Sequence, residues 1–134
     1  MILTAEKFIL SKLKGDTTLA SYVGTRIYTE LAPKGATAPF VIVQHQGGQS
    51  ISGVGGSLIM LNETYVVKIV TNENSYKNTE TAVARINTLL HKSSGAISGG
   101  YLLSCIQEYP VKYTTHEDGV TYRHLGYAYN LNAQ

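Results

Sequence analysis

Tryptophan is absent from this 134-residue chain, phenylalanine occurs twice and cysteine once. A lone thiol, Cys105, rules out an intrachain disulfide, and its place in an apolar strand pattern marks it as a buried small side chain rather than a nucleophile. Charge is scarce too: Asp, Glu, Lys and Arg make up 15% of the residues, against roughly 25% in average soluble domains. The net charge is +2 and no run of Lys or Arg exceeds two residues. Binding nucleic acid by neutralising phosphates needs a concentrated basic stripe, so sequence-specific DNA or RNA binding is not expected. No apolar stretch approaches the ~18–20 residues of a membrane span. Glu6 and Lys7 interrupt the start before any secretory signal could form, so synthesis in a reducing cytoplasm is expected.

Sites for chemistry are equally thin. His45, His91, His116 and His124 are dispersed, with no pair at metal-ligand spacing. Glu63, Glu73, Glu108 and Asp118 are scattered over strand ends and turns, so no carboxylate pair is set up for acid–base work. Gly53, Gly55 and Gly56 resemble a phosphate loop only superficially, because no Lys-Ser/Thr follows and Leu58 opens a strand instead of a helix. The expectation is a protein that is not an enzyme and has no cofactor and no metal.

What the chain does have is a 43% hydrophobic content and ten tyrosines. That content suits one ordered domain over residues 1–134. Abundant Tyr on a weakly charged surface suits protein contact.

Periodicity gives the elements. Ala5, Phe8, Ile9 and Leu13 make one apolar stripe on a helix that starts at a Thr4 cap and stops at Gly15. A shorter helix begins near Asp16 or Thr17 and ends at Gly24. Arg26 to Leu31 alternates as a half-buried strand, and Pro33, Gly35 and Pro39 hold an extended loop. Phe40 to Gln46 reads as a strand. The glycine- and serine-rich segment from Gly47 to Ser57 loses much entropy if ordered, so it is expected to be mobile in the isolated subunit. Leu58 to Thr71 reads as a long strand or a bent strand pair. Ser75 then caps the main helix, whose stripe is Thr79, Ala82, Val83, Ile86, Leu89 and Leu90. Ser93 to Gly100 reads as a linker.

A hairpin closes the chain. With a two-residue Asp118-Gly119 turn, Lys112 would oppose Leu125 and Val111 would oppose Gly126, mixing the faces. A three-residue Glu117-Asp118-Gly119 loop pairs Val111 with Leu125, Tyr109 with Tyr127, Gln107 with Tyr129 and Cys105 with Leu131. That register puts Glu108, Lys112, His124 and Asn130 on the outer face, with Pro110 also outward near a sheet edge. The predicted fold is therefore α+β: a largely antiparallel or mixed sheet of about five strands. One main helix and an N-terminal helical segment pack on one face.

Two strands carry large apolar residues on both faces. If the helices cover only one, Val41, Val43, Val66 and Val70 lie on the other, and each such side chain gains ~1.5–3 kcal/mol from full burial. Neighbouring copies are expected to supply that burial. Arg26 either packs its stem on Tyr28 or pairs with a carboxylate, within the subunit or across to a neighbour. The candidate assembly residues are thus Arg26, Tyr28, Val41, Val43, Val66 and Val70, with Gly47, Gly48, Gln49, Ser50, Ile51, Ser52, Gly53, Val54, Gly55 and Gly56 of the glycine-rich segment.

The run Asp16-Thr17, Leu19, Val23-Gly24-Thr25-Arg26-Ile27-Tyr28, then Pro33 and Ala38-Pro39-Phe40-Val41-Ile42, resembles the tail terminator (tail completion) proteins of long non-contractile-tailed bacteriophages. The likeness continues through Thr64 to Val70, the single amphipathic helix, Asp118-Gly119 and Tyr122-Arg123; the Gly47–Ser57 insertion has no counterpart in it. The resemblance implies a structural virion protein of the tail or neck, assembled in the host cytoplasm. It implies a homo-oligomer, a hexameric ring that caps the tail tube, ends its polymerisation and meets the head-completion or connector protein. DNA passes through such a ring without being gripped, and no membrane is involved. The competing readings are another neck or tube component, such as a head–tail connector or tail tube subunit, and a small ligand-binding domain.

Overall fold

A computed structural model of the chain describes residues 2–56, 58–97 and 100–134, with side chains described for 5–56, 60–96 and 100–134. Helix α1 spans Ile2–Lys14 and begins before Thr4, whose side chain lies outside the described residues. Its predicted stripe is buried: Ala5, Phe8, Ile9 and Leu13 are each at most 4% exposed. Helix α2 (Thr17–Val23) is capped by Asp16, whose Oδ2 accepts the Leu19 amide at 2.8 Å. The same carboxylate takes a forked pair of bonds from Arg85, Nε at 3.0 Å and a terminal nitrogen at 2.6 Å. One acidic residue therefore starts α2 and ties it to α3 (Lys77–Leu90). Ser75 does not cap α3; Tyr76 holds that position without a side-chain hydrogen bond. Thr79, Ala82, Val83, Ile86 and Leu90 form the buried face of α3.

Six strands make one sheet, in the order β1-β2-β3-β6-β5-β4. They are β1 (Ile27–Thr29), β2 (Phe40–Ser52), β3 (Leu58–Thr71), β4 (Ser93–Ile97), β5 (Gly100–Glu117) and β6 (Val120–Ala133). β1 runs parallel to β2, and the other pairs are antiparallel. The sixth strand is β4, drawn from the stretch that reads as a linker. Its Gly95 stands at φ 155°, and a register shift between Ser93 and Gly95 breaks the local alternation. Ser98 and Gly99 lie outside the described residues.

The helices cover one face. Val41 pairs with Ile69 and Val43 with Val67, and all four are buried in the core beneath the helices. The expectation that Val41 and Val43 lie on an uncovered face is therefore corrected. Val66 and Val70 do point away from the helices, but the subunit itself buries them, at 5% and 4% exposure. Val70 joins Phe40 and Ile42 in a second cluster, against Tyr28, Ala32, Ala36, Ala38 and Tyr122. The loop between β1 and β2 folds under the sheet to make that cover, which the argument from helices alone left out. Arg26 anchors this loop: its Nε donates to the Pro39 carbonyl at 2.9 Å, across the cis Ala38-Pro39 bond. It forms no ion pair within the described residues.

Gly47 to Ser52, expected as part of a mobile loop, continues β2 and pairs with β3 as far as Ser52 opposite Leu58. A 3-10 turn over Val54–Gly56 carries the chain round, and Ser57 lies outside the described residues. The closing hairpin corrects a second expectation. Its tip is the two-residue Asp118-Gly119 turn, both residues at positive φ (49° and 79°), with Glu117 opposite Val120. Lys112 therefore opposes Leu125, and Val111 opposes Gly126. A shift between Gln107 and Tyr109 absorbs the extra residue and restores Gln107 opposite Tyr129 and Cys105 opposite Leu131. As a result Lys112 and Pro110 move to the helix side, where the Lys112 Nζ sits 4.6 Å from the centre of the Tyr76 ring.

Candidate assembly surfaces

The face of the sheet opposite the helices is the one left to meet other molecules, and register decides what it carries. Asn62, Thr64, Val66, Lys68 and Val70 of β3 pair with Asn132, Asn130, Ala128, Gly126 and His124 of β6. On β5 their neighbours are Ser104, Ile106, Tyr109, Val111 and Tyr113. Near β4 the face is a ladder of neutral amides. Asn62 Nδ2 donates to Asn132 Oδ1 at 2.7 Å and to Asn130 Oδ1 at 3.2 Å, while Asn132 Nδ2 donates to Ser104 Oγ at 3.0 Å. Towards the Asp118-Gly119 tip it becomes apolar and aromatic.

Large apolar side chains remain exposed along β5. Tyr101, Leu103, Ile106, Tyr109 and Tyr113 are each 41–47% exposed. Sequence reading missed this stripe because β5 is bulged twice, between Leu102 and Ser104 and between Gln107 and Tyr109. Each bulge advances the period by one, so no simple alternation is visible. Beyond Cys105, β4 no longer accompanies β5, which leaves Glu108 to Glu117 as a sheet edge. Pro110, Lys112 and the bulge at Glu108 are devices that keep such an edge from open-ended pairing.

The β2–β3 hairpin forms an arm. β6 accompanies β3 only from Leu61 onward, so Ile51 and Ser52 with Leu58 to Met60 extend past the rest of the sheet. Its direction is set at a bulge between His45 and Gly47, where Gly47 stands at φ 126°. A Cβ on Gly48 would fall 2.0 Å from the Asn62 carbonyl oxygen, so only glycine permits the approach. Beside the bulge, His45 Nε2 lies 2.6 Å from the Glu63 carboxylate, and the His45 amide donates to Glu30 at 3.1 Å. Residues 46–62 carry no charge, and Val54 at the tip is fully exposed. A two-stranded hairpin standing alone is marginal in water, so this arm is suited to lying against something else.

Between the β1–β2 loop and the Asp118-Gly119 tip lies an open groove of about 580 Å³. Phe40, Ile42 and Val70 form its floor, and Leu31, Val120 and Tyr122 its walls. Leu31 is 83% exposed at the rim.

The groups that could carry chemistry do not converge. Burial pushes the Cys105 thiol up to about 12, which leaves it protonated. Each histidine has a separate local partner: Glu63 for His45, the Gln107 amide for His91, Thr121 for His116 and Thr115 for His124. Among the described residues no three His, Cys, Asp or Glu side chains gather closely enough to hold a metal ion.

The model of the family described as "Tail completion protein gp17" matches residues 7–125. The chain belongs to that family. It is accordingly a structural protein of the phage tail, and a component of the tail or neck of the virion. A solved chain described as "Virion of native gene transfer agent (GTA) particle" is similar in fold, with a TM-score of 0.71 at 18% identity. The likeness covers 96% of this chain and 95% of that one. No curated protein matches the sequence. The sequence resemblance drawn from Asp16 to Ile42 thus led to the right family, although two of the packing arguments beside it did not hold.

Proposed function

We propose that this tail completion protein closes the tail tube as a ring, most simply a hexamer. The ring ends polymerisation of the tube protein and offers its outer end to the head-completion protein. The observation that carries the reading is the exposed β5 stripe on the helix-free face. It lies on the opposite side of the subunit from the covered face, so one copy can meet the next by a heterologous contact that closes through rotation. A stable contact of this kind buries on the order of 1,600 Å². The uncharged arm made by the ends of β2 and β3 would supply area beyond the sheet, against a neighbouring copy or the tube ring below. The low net charge suits a ring through which DNA moves without being held.

Deleting the gene tests this reading in the particle. The expected outcome is overlong tails that carry no heads, rescued by the intact gene. Normal-length tails joined to heads would overturn it. A tube subunit, the second assembly reading, would grow into open tubes when purified, whereas this protein should stop at closed rings in electron micrographs.

A further inference from the structure

We propose that the groove between the β1–β2 loop and the Asp118-Gly119 tip binds the C-terminal end of a partner chain, an apolar last residue bearing a free α-carboxylate. The proposal stands whether or not the copies form a ring. It starts from Lys68, which lines the groove yet is only 8% exposed. Its neighbour across the sheet is Gly126, where a Cβ would lie 2.5 Å from the Lys68 Cα, so no side chain on β6 stands in the way. The lysine reaches β5, donates to the Tyr113 hydroxyl and lies 4.9 Å from the centre of that ring. Among the described residues it has no carboxylate within ion-pair distance, the ion pairs there being His45–Glu63 and Arg85–Asp16. A largely buried ammonium without a counter-charge is unfavourable, and a carboxylate entering from the groove would supply one.

His124 is the second observation. It stacks on Tyr113 at 4.3 Å and lines the same groove, and its buried Nδ1 has no hydrogen-bond partner among the described residues. Lys68 and His124 thus line one groove with Phe40, Ile42 and Val70, and Tyr113 joins the two from β5. The rim has the opposite sign: Glu30, Glu117 and Asp118 outweigh Lys34. A segment with several acidic residues would be repelled at the rim before reaching Lys68. A chain end with one carboxylate, an apolar final side chain and neutral or basic residues before it satisfies both layers.

The probes are N-acetylated tripeptides titrated into the full-length labelled protein by NMR: Lys-Ala-Phe as the free acid, the same sequence as its C-terminal amide, and Glu-Glu-Phe as the free acid. The expected result is saturable binding of the first with a Kd below about 1 mM, shifting resonances of Ile42, Val70 and His124. The amide and the acidic peptide should each bind at least tenfold more weakly. Lys68→Met, which keeps the side-chain volume, should remove the preference for acid over amide, and Lys68→Arg should retain it. Equal binding of acid and amide by the unaltered protein, or no binding at millimolar peptide, would overturn the proposal. So would benzoate alone binding as tightly as the tripeptide, because the groove would then hold a small carboxylate and not a chain end. The peptide comparison needs no variant, so misfolding of Lys68→Met would not rescue the idea.

Discussion

Tyr109 is the residue on which the assembly reading can be tested most sharply. A tyrosine or phenylalanine contributes roughly 150–250 Å² when fully covered, and Tyr109 is 47% exposed in the isolated subunit. Covering the remainder removes roughly 70–120 Å² from water, worth about 2–3 kcal/mol at ~25 cal/mol per Å². Replacing it with threonine, a good strand former, should therefore weaken each subunit contact by roughly 30- to 150-fold. Adding Ile106→Thr, at 42% exposure, should weaken it further. The isolated fold should barely respond, because both positions lie on the surface and substitutions there shift stability by about 1 kcal/mol or less. Sedimentation velocity over a range of concentrations reads the contact, and thermal melting reads the fold. Ser11→Ala, exposed on α1, serves as the control on the helix-covered side. An unchanged mass at every concentration for the double variant would refute the assignment of β5 to the interface. An equal loss of mass for Ser11→Ala would refute it too.

Three further outcomes follow from the packing and the buried charges. Gly126→Ala places a Cβ 2.1 Å from the Val67 carbonyl oxygen, where only backbone can yield, so urea unfolding should show a loss of about 3 kcal/mol or more. Asp16→Ala removes the α2 cap and should cost about 1 kcal/mol, whereas Asp16→Asn keeps the cap and loses the Arg85 pair. That pair, chiefly through its hydrogen bonds, holds the Asp16 carboxyl below its usual 3.8. Its stabilisation is therefore complete above about pH 4 and fades as pH falls towards the lowered value, a slope that Asp16→Asn should flatten in acid titrations of stability. Burial, and secondarily the Lys68 charge, push the His124 imidazole down to about 4. The unfolded chain takes up a proton near pH 6.5 and the folded one does not, so stability should fall between pH 6.5 and 4. The loss is on the order of 1–2 kcal/mol once partial exposure is allowed for, and His124→Gln should abolish this segment of the profile.

The helices and the long strands were legible because their signals are local. The stripes of α1 and α3 depend on residues a turn apart, and β3 emerged with the limits Leu58 and Thr71. The lone buried cysteine followed from composition and strand pattern in the same way. Glycine misled in two places. The stretches Gly47–Ser57 and Ser93–Gly100 have the composition of loops, yet pairing with β3 and β5 makes strands of much of both. The gain there is backbone hydrogen bonding to a distant segment, and a local reading of entropy cannot include it.

Composition and local pattern by themselves determined that this is a helix-on-sheet protein with no intrachain disulfide, little charge and many tyrosines, while its family was marked by a resemblance in the residues from Asp16 to Ile42. Tertiary structure alone decided which valines were covered, because that depended on the β1–β2 loop folding under the sheet, with Arg26 bound to the Pro39 carbonyl. It also decided which β5 residues face outward, since two bulges reset a period that the residue order implies should continue. Both are matters of contact between segments far apart in the chain, and so was the meeting of Lys68, Tyr113 and His124 from three strands, which brings Lys68 and His124 together beside one groove.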